Sequence, residues 1–317
     1  MVSPKNNGRD AVTDLNLELV AEGFEFPEGP IAMGDGSVIL TEIKGQRLTR
    51  VTPDGKKTTV VETGGGPNGA AVGPDGAIWI TNNGGSFEWL ENAGMTIPGP
   101  TPASHTGGMI QRYDLATGKL TTVYEACDGR RLIGPNELVF DSQGGFWFTD
   151  HGCSTPEGRK FGALYYAKSD GSLISRQRDH IISPNGVGLS PDEKVVYVAA
   201  TQLGRLWAFD IQAPGVLGPP PGFAPGRVIK TLDGFSYLDS LAVEAGGKVC
   251  VATIINGGVT AFDPDGSIEH FAVPDLICTN ICFGGPDMMD AWITASATGK
   301  LYKARWPRPG LKLSFNA

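Results

Sequence analysis

Apolar and polar residues alternate along most of the chain in runs of about seven residues, separated by Gly- and Asp-rich turns. An alternation with a period of two predicts half-buried β-strands, and a tight turn between two such runs predicts a β-hairpin. No run of ten or more residues has the 3.6-residue period of an amphipathic α-helix. The pattern therefore predicts an all-β protein built from short antiparallel strands.

One version of this hairpin recurs six times along the chain. Each copy begins with a small or Pro-containing turn and a polar residue, continues through two strands joined by a turn, and ends near Thr or another small residue. A repeat at this spacing is typical of propellers and solenoids. The copies are EFPEGPIAMGDGSVILTE (25–42), GGPNGAAVGPDGAIWITN (65–82), IGPNELVFDSQGGFWFTD (133–150), ISPNGVGLSPDEKVVYVA (182–199), SYLDSLAVEAGGKVCVAT (236–253) and CTNICFGGPDMMDAWITA (278–295).

A second hairpin follows most of the copies, so that each repeat unit comprises four strands. Six units in 317 residues give about 53 residues per unit, which is within the range of propeller blades. The sequence therefore predicts a six-bladed β-propeller of four-stranded antiparallel blades. A β-sandwich with fortuitous hairpins is the alternative, but a sandwich does not need six matching inner strands.

The sixth unit is one strand short, because after its inner hairpin only GKLYKARW (299–306) reads as a strand. The N-terminal segment LNLELVAEGF (15–24) can supply the missing outer strand. This pairing would close the ring and leave no incomplete edge. We therefore expect a single propeller domain over residues 15–317, preceded by a flexible N-terminus over residues 1–14.

One position of the repeat carries a side-chain oxygen in all six copies, at the start of the predicted innermost strand. Rotational pseudosymmetry places these residues around the mouth of the central channel. Two of them are carboxylates, which would repel each other in a buried site unless a cation balanced them. Because every donor is an oxygen of Asp, Glu or Asn, the ring favours a hard divalent ion such as Ca²⁺, Mg²⁺ or Mn²⁺. The alternative is that the residues only cap turns. They are Glu28, Asn68, Asn136, Asn185, Asp239 and Asn280.

The loops between the second and third strands are predicted to lie over the same mouth, because the second strand returns the chain to it. In the second unit this loop is an insertion of 25 residues, 84–108, which contains Phe87 and Trp89. Its apolar content predicts a wall over the channel mouth, with Trp89 in contact with substrate. A disordered insertion is the alternative. His151 begins the corresponding loop of the third unit and is either a substrate contact or a structural histidine.

Composition and charge narrow the classes of function. Hydrophobic residues make up 40% of the chain, which is enough for a packed core, and the net charge of −8 with scattered basic residues disfavours nucleic-acid binding. No stretch approaches 18 consecutive apolar residues, and the N-terminus lacks the profile of a secretion signal. We therefore expect a soluble, cytoplasmic protein without a membrane partner. The five cysteines include no CxxC pair and are expected to be reduced and buried.

Five stretches, in order and spacing, also match a known pattern. They are FPEGP (26–30), GPNELVFDSQGGFWFTD (134–150), SPNGVGLSPDEKVVYVA (183–199), LDSLAVEAGGKVCVAT (238–253) and CFGGPD (282–287). At these residues the chain resembles the gluconolactonase/regucalcin-like family, also called the senescence marker protein family, of six-bladed propeller lactonases. The resemblance extends over nearly the whole chain, from about residue 15 to residue 306.

The resemblance implies that Glu28, Asn185 and Asp239 ligate one divalent metal ion in the channel. Ca²⁺ is the ion expected, with Mg²⁺, Mn²⁺ or Zn²⁺ as alternatives. Asn136 is implied as a further ligand or a substrate contact, and Asp239 as the base or nucleophile.

Members of the family commonly read R-P-N-D in the third blade, where this chain has Gly134, Pro135, Asn136 and Glu137. Together with the insertion 84–108, this departure indicates a lactone that is less polar than a sugar-acid lactone or differently shaped. Glu137 is predicted to be one of its contacts.

A lactone hydrolase must polarise the ring carbonyl and produce hydroxide near it at neutral pH. A metal ion serves as the Lewis acid, Asp239 as the general base, and Asn136 and Asn185 as donors to the oxyanion or ring oxygen. The expected partner is therefore a small-molecule lactone or ester. Hydrolysis of organophosphates or aryl esters on the same scaffold is one alternative, and a non-enzymatic, metal-stabilised binding propeller is the other. The sequence leaves the oligomeric state open.

Overall fold

Almost all of the regular structure is β-strand in the computed structural model, which describes residues 12–13 and 15–315. Within these residues there are 32 strands and one short 3₁₀-helix, Thr201–Leu203. The innermost strand of each blade contacts the innermost strands of both neighbouring blades, and the sixth blade contacts the first. The ring is therefore closed around a central channel, which confirms the predicted six-bladed propeller.

Each blade has four antiparallel strands, numbered here from the channel outwards, and in blade four the short strand Val216–Leu217 also pairs with the third strand. Blade one comprises Pro27–Ala32, Val38–Glu42, Arg47–Val51 and Lys57–Glu62, and blade two comprises Pro67–Val72, Ile78–Asn82, Met109–Asp114 and Lys119–Tyr124. Blade three comprises Pro135–Phe140, Gly145–Asp150, Gly162–Lys168 and Ile174–Ile181, and blade four comprises Pro184–Leu189, Val195–Ala200, Arg205–Ala213 and Arg227–Thr231. Blade five comprises Tyr237–Val243, Val249–Ile254, Gly258–Phe262 and Ile268–Ala272, and blade six comprises Cys278–Gly284, Asp290–Ala295, Lys300–Arg305 and Glu18–Glu22.

The N-terminal segment closes the ring as predicted. Glu18–Glu22 pairs antiparallel with Lys300–Arg305 and forms the outer strand of blade six. Val12–Thr13 pairs in parallel with the outer strand of blade five. The expectation of a flexible N-terminus over residues 1–14 falls mostly on residues 1–11 and 14, which lie outside the described residues.

Six hydrophobic clusters fill the spaces between adjacent blades and form the core. Trp79 lies between blades two and three, Trp147 between three and four, and Trp306 between five and six, each almost completely buried. Burial of one large apolar side chain is worth about 1.5–3 kcal/mol, so these contacts hold the blades in a fixed relation to one another. The channel walls are rigid for this reason.

Every innermost strand carries one extra residue where it pairs with the second strand. In blade one, for example, Glu28 pairs with Thr41 and Ile31 pairs with Ile39, so that three steps on one strand oppose two on the other. The same irregularity occurs in the other five blades. A β-bulge re-aims the side chains next to it. In each blade the bulge lies at the polar residue of the repeat.

The threonine that ends the repeat has a specific partner in three blades. Its hydroxyl donates a hydrogen bond to the backbone carbonyl of the polar repeat residue in the following blade. These contacts are Thr41 to Asn68 at 2.5 Å, Thr81 to Asn136 at 2.5 Å, and Thr149 to Asn185. Each of these three blades thus fixes the backbone of the following blade beside the channel.

The C-terminal segment crosses one end of the channel. The Leu311 amide donates to the Val243 carbonyl at 2.8 Å, which ties the segment to the innermost strand of blade five. Leu311, Leu313 and Phe315 then line a cavity of ≈ 120 Å³ together with residues of the innermost strands, among them Glu137. The segment therefore closes the end of the channel that lies away from the second-to-third-strand loops.

The insertion 84–108 contains an ordered hairpin, Trp89–Asn92 and Met95–Pro98. The Thr96 amide donates to the Ala297 carbonyl of blade six at 2.9 Å, and Glu91 pairs with Lys44 of blade one. Further along, Thr101 Oγ1 accepts a hydrogen bond from the Ser154 amide of blade three at 3.2 Å. The insertion thus contacts the second-to-third-strand loops of three other blades.

Three other excursions leave the blades, and the first is a short hairpin of Ala126–Cys127 and Arg130–Arg131 that follows the outer strand of blade two. A second small hairpin, Cys153–Thr155 and Gly158–Lys160, follows the second strand of blade three. The Pro-rich stretch 213–226 lies between the third and fourth strands of blade four, as expected from the repeat. Across the described residues, no helix is long and apolar enough to pass through a membrane.

Candidate active site

The six polar repeat residues all lie at the second or third position of an innermost strand, and all six are buried. The bulge at this position directs both a repeat residue and its successor towards the channel. The structure thereby brings together side chains that are far apart in the sequence. They are Glu28, Asn68, Asn136, Asn185, Asp239 and Asn280.

Asn280 connects two of the buried carboxylates. Its Nδ2 donates to Glu28 Oε2 at 2.7 Å and to Glu137 Oε2 at 2.8 Å, while its Oδ1 accepts a hydrogen bond from the Ile281 amide at 2.8 Å. Glu28 Oε2 also accepts from the Gly29 amide at 2.6 Å. Both of these hydrogen bonds of Glu28 go to one oxygen, which leaves Oε1 available for a ligand in the channel.

Glu137 occupies a position where three other blades have glycine. Its Oε1 accepts from the Leu138 amide at 3.0 Å, and a Cβ on Gly69 of blade two would lie only 2.2 Å from that oxygen. Gly69 therefore makes room for this carboxylate. Both oxygens of Glu137 bond to protein groups, so its predicted contact with substrate stays a prediction.

Asn185 is oriented by two hydroxyl groups. Its Nδ2 donates to Thr201 Oγ1 at 3.1 Å, and its Oδ1 accepts from Ser240 Oγ at 3.2 Å. Ser240 directly follows Asp239 on the innermost strand of blade five. The amide of blade four and the carboxylate of blade five are thus held side by side.

Burial of three carboxyl groups in one small space shifts their proton affinities. Burial, followed by the charges of Asp239 and Glu137, raises the pKa of Glu28 well above its ordinary value. Burial, with a contribution from Glu137, raises the pKa of Asp239 to about 8. Burial raises the pKa of Glu137 to about 7. Without a counter-charge, these groups resist ionisation at neutral pH.

The oxygen donors fit a hard cation. Asn136 Oδ1 is buried and has no hydrogen-bond partner among the described residues, although it lies in the ring with two carboxylates. Within residues 12–13 and 15–315, no three His, Cys, Asp or Glu side chains are grouped so that they could hold a metal ion. A metal here would therefore depend on amide oxygens as well as carboxylates, a donor set that suits Ca²⁺ or Mg²⁺.

His151 lies beside the start of the innermost strand of blade three, where its amide donates to the Gly134 carbonyl at 2.8 Å. Burial, reinforced by the charge of Arg159, lowers the pKa of His151 to about 3, so the ring is neutral at physiological pH. Its Nδ1 is buried without a partner in the described part of the chain. A neutral ring with one uncommitted nitrogen can hydrogen-bond a ligand, but it cannot supply a positive charge.

Trp89 belongs to an aromatic cluster. Its ring centroid lies 4.9 Å from that of Phe26 and 6.0 Å from that of Phe87. Phe26 is buried and directly precedes the innermost strand of blade one, two residues before Glu28. The cluster thus joins the insertion to the part of blade one that carries a candidate ligand.

Some residues of the site were not among those singled out from the sequence. Thr201 and Ser240 orient Asn185, and Arg159 donates to the His151 carbonyl at 2.7 Å. Neither hydroxyl has a distinctive sequence signal, because Ser and Thr are common at strand ends. Arg159 has one weak signal, since it is a basic residue in a loop on the predicted substrate side.

Fold and site together define a six-bladed propeller with a buried acidic centre in its channel. The family model described as SMP-30/Gluconolactonase/LRE-like region matches residues 26–297, and the chain belongs to this family. The resemblance seen in the sequence is thereby confirmed.

Similar proteins include curated enzymes and solved structures. A gluconolactonase of Zymomonas mobilis is 24% identical over 303 residues, covering 87% of this chain and 78% of the relative. The lactonase drp35 of Staphylococcus haemolyticus is 28% identical over 259 residues, covering 79% and 70%. A gluconolactonase from Xanthomonas campestris superimposes with a TM-score of 0.71 at 25% identity, covering 92% of this chain and 89% of the other. The calcium-binding protein regucalcin from Agrobacterium tumefaciens gives a TM-score of 0.72 at 19% identity, covering 95% and 99%, and shows a shared fold.

Proposed function

We propose that this protein is a metal-dependent lactonase that opens the ring of a small lactone. The observation that carries the proposal is the convergence of Glu28, Glu137 and Asp239 in the channel, next to an amide oxygen of Asn136 that has no partner in the described residues. The names of the gluconolactonase and lactonase relatives support the same reaction.

The residues that would hold the metal are Glu28, Asn136, Asn185 and Asp239. When bound, a divalent ion supplies Lewis acidity towards the lactone carbonyl, and Ca²⁺ is the ion that the donor set favours. The neighbour named as a calcium-binding protein supports a divalent ion in this fold. Asn280 and Gly29 both donate to Glu28 Oε2, so Oε1 would be the oxygen of Glu28 available to hold the ion.

Asp239 is the proposed general base. Its carboxylate removes a proton from the water that attacks the carbonyl carbon, and the proton passes to the ring oxygen as the C–O bond breaks. The product is a hydroxy acid. Because burial raises the pKa of Asp239 to about 8, a nearby cation is required to keep the base form populated at neutral pH.

The amide groups are proposed to act on the developing negative charge. Asn185 is held by Thr201 and Ser240, and a donor in a fixed orientation can stabilise the oxyanion without reorganisation. His151 and Trp89 are proposed to contact the substrate, the first through its uncommitted ring nitrogen and the second through its face. Glu137 is proposed to lie near the substrate and to hold Asn280.

Lactone turnover, measured with and without a divalent metal ion, tests the proposed reaction and its metal dependence in one experiment. We expect an aliphatic or sugar lactone to be opened with Ca²⁺, and turnover to be lost with a chelator and restored by Ca²⁺. Asp239→Asn is expected to lower kcat by about 100-fold or more, because general-base catalysis typically contributes 10²–10⁴. Lactone opening is monitored through the acid that it releases in a weakly buffered assay.

The control substrates are an aryl ester and a phosphotriester, assayed in parallel. Preference for either of them over every lactone would replace the proposal with hydrolysis of that class. Full turnover by the Asp239→Asn variant with metal still bound would contradict the assigned base.

A further inference from the structure

Arg159 is a cation with no anionic partner in the described part of the chain. It lies on the small hairpin that follows the second strand of blade three, opposite Ser154. Its guanidinium donates to the His151 carbonyl at 2.7 Å and to Ser154 Oγ at 3.4 Å. Its Nε is buried and has no hydrogen-bond partner, and no salt bridge among the described residues includes it.

Asp150 is the carboxylate whose charge acts on Arg159, but its oxygens already accept hydrogen bonds from backbone amides. Asp150 accepts hydrogen bonds from the amides of Ile133 at 2.6 Å, Gly134 at 2.8 Å and Gly152 at 2.9 Å. Burial lowers the pKa of Arg159, and the charges of Cys153 and Asp150 offset this effect only in part. A partly buried guanidinium without a carboxylate is unfavourable unless a ligand supplies the anion.

The contacts of Arg159 place it next to the candidate active site. His151, whose carbonyl it contacts, bonds in turn to Gly134, which lies two residues before Asn136. Gly134 has no side chain, and a Cβ there would lie 2.9 Å from the Gly152 carbonyl oxygen. On its other side the hairpin is tied to the insertion through the Ser154 amide and Thr101.

Other polar atoms on this side of the mouth also lack partners among the described residues. They belong to blades two, three and four, and they are Asn83 Nδ2, His151 Nδ1 and Ser183 Oγ. Buried polar groups in native proteins normally find a partner. Acceptor oxygens of a ligand would satisfy the Asn83 amide and the Ser183 hydroxyl, and a donor group of the same ligand would satisfy the neutral His151 ring nitrogen.

We propose that Arg159 binds a carboxylate carried on the substrate ring, and that the enzyme therefore prefers lactones bearing a carboxylate to neutral lactones. The inference rests on the proposed function for the ring-opening step, but the binding of the anion does not require that step. A planar guanidinium matches a carboxylate in geometry and charge, which is the reason for this choice of ligand. Arg159 is thus a specificity-determining residue.

Binding of a compound that cannot be hydrolysed tests the inference without relying on turnover. The probes are the two enantiomers of cyclopentanone-3-carboxylate, each compared by calorimetry with its methyl ester in the presence of Ca²⁺. We expect the preferred acid to bind about 10- to 100-fold more tightly than its ester. Arg159→Met is expected to remove this difference, and Arg159→Lys to retain part of it.

Lys160→Met is the matched control, because Lys160 is the next residue of the same hairpin and is exposed. This variant should keep the preference for the acid. The inference is wrong if the wild-type protein binds acid and ester equally, or if the Arg159→Met variant keeps the preference.

Turnover of γ-lactone carboxylates and their methyl esters separates the two proposals. Discrimination in binding without opening of any lactone would overturn the proposed function and leave the role of Arg159 supported. Opening of both lactones with equal kcat/KM, unchanged by Arg159→Met, would overturn the role of Arg159 and leave the lactonase supported.

Discussion

Asn68 and Asn280 occupy the same repeat position in blades two and six, yet their side chains have different surroundings. Asn280 donates to two carboxylates, whereas no hydrogen bond of the Asn68 side chain occurs among the described residues. The difference arises because Glu137 extends across the channel to Asn280, and Asn68 has no such partner. At the scale of single residues, the pseudosymmetry of the ring is therefore broken.

Substitution of these two asparagines measures that difference. We expect Asn280→Ala to weaken Ca²⁺ binding by about 10-fold and to lower stability by about 1–3 kcal/mol, because it removes one hydrogen-bond donor from each of two buried carboxylates. Asn68→Ala, the matched control, should change either quantity by much less. Calcium titration and chemical denaturation give the two values. Equal effects in the two variants would contradict the positioning role of Asn280.

The buried carboxyl groups also make a prediction about pH. Asp239 and Glu137 have pKa values of about 8 and about 7 in the folded protein, above the ordinary values near 4. A raised folded-state pKa stabilises the fold at low pH, and that stability is lost as pH rises through the folded pKa. In chelator, the melting temperature should therefore fall between about pH 5 and pH 8 and then level off.

Calcium should reverse this trend, because the ion competes with protons for the same carboxylates. The increase in melting temperature caused by Ca²⁺ is expected to grow from pH 5 to pH 8. Asp239→Asn should flatten the fall seen in chelator, since an amide does not titrate. A melting temperature in chelator that rises over this interval in the wild-type protein would show that the carboxyl groups are not coupled as described.

At the scale of elements, the insertion 84–108 is the feature that distinguishes blade two from the other five. Its hairpin contacts blades one and six, and its aromatic cluster reaches Phe26 beside the innermost strand of blade one. We propose that this hairpin forms the apolar wall of the substrate site. A wall of this kind acts on the affinity for apolar substituents rather than on the ring-opening step.

Truncation of the tryptophan tests the wall. Trp89→Ala is expected to raise KM about 5- to 10-fold for lactones with an alkyl or aryl substituent, because an aromatic contact is worth about 0.5–1.5 kcal/mol. KM for an unsubstituted lactone should change little. Leu90→Ala is the control, since Leu90 is adjacent in the hairpin and 51% exposed. A uniform loss of kcat across all substrates would instead indicate that Trp89 positions the proposed metal ligands of the channel.

At the scale of the whole molecule, the channel has two ends that differ in chemistry. The second-to-third-strand loops and the insertion surround one end, and Leu311, Leu313 and Phe315 close the other. The cavity beneath this segment reaches Glu137, so the segment limits how much solvent can lie beside that carboxyl group. We propose that the substrate enters at the end with Arg159 and Trp89.

Removal of the chain after Pro309 should open the far end. We expect a loss of about 2–4 kcal/mol in unfolding free energy, because the partly buried side chains of Leu311 and Phe315 are removed together with Leu313, which is 41% exposed. The pH interval over which the metal-free protein loses stability should move to lower pH, since more water would reach Glu137 and its carboxylate would be better solvated. Phe315→Ala should give a smaller loss of stability and no shift in pH. An unchanged pH interval in the truncated protein would show that the segment does not seal the channel.

The sequence alone determined the architecture of this protein. Six copies of one hairpin, each followed by a second, can bury their apolar faces only by packing against their neighbours, and the missing strand of the last unit identified the N-terminal segment as its complement. Since the repeat also fixes the angular position of each residue, Glu28, Asn185 and Asp239 could be assigned to one ring before any coordinate was known. These are consequences of periodicity, which is a property of the chain.

The tertiary structure decided which members of the ring act on one another. A bulge turns Glu137 into the channel, Asn280 joins it to Glu28, and a hairpin of blade three brings Arg159 to His151. None of these contacts follows from the repeat, because each joins residues from different blades or from insertions that interrupt the period. Burial then fixes the proton affinities of the carboxyl groups, and burial is a property of the closed ring rather than of any single blade.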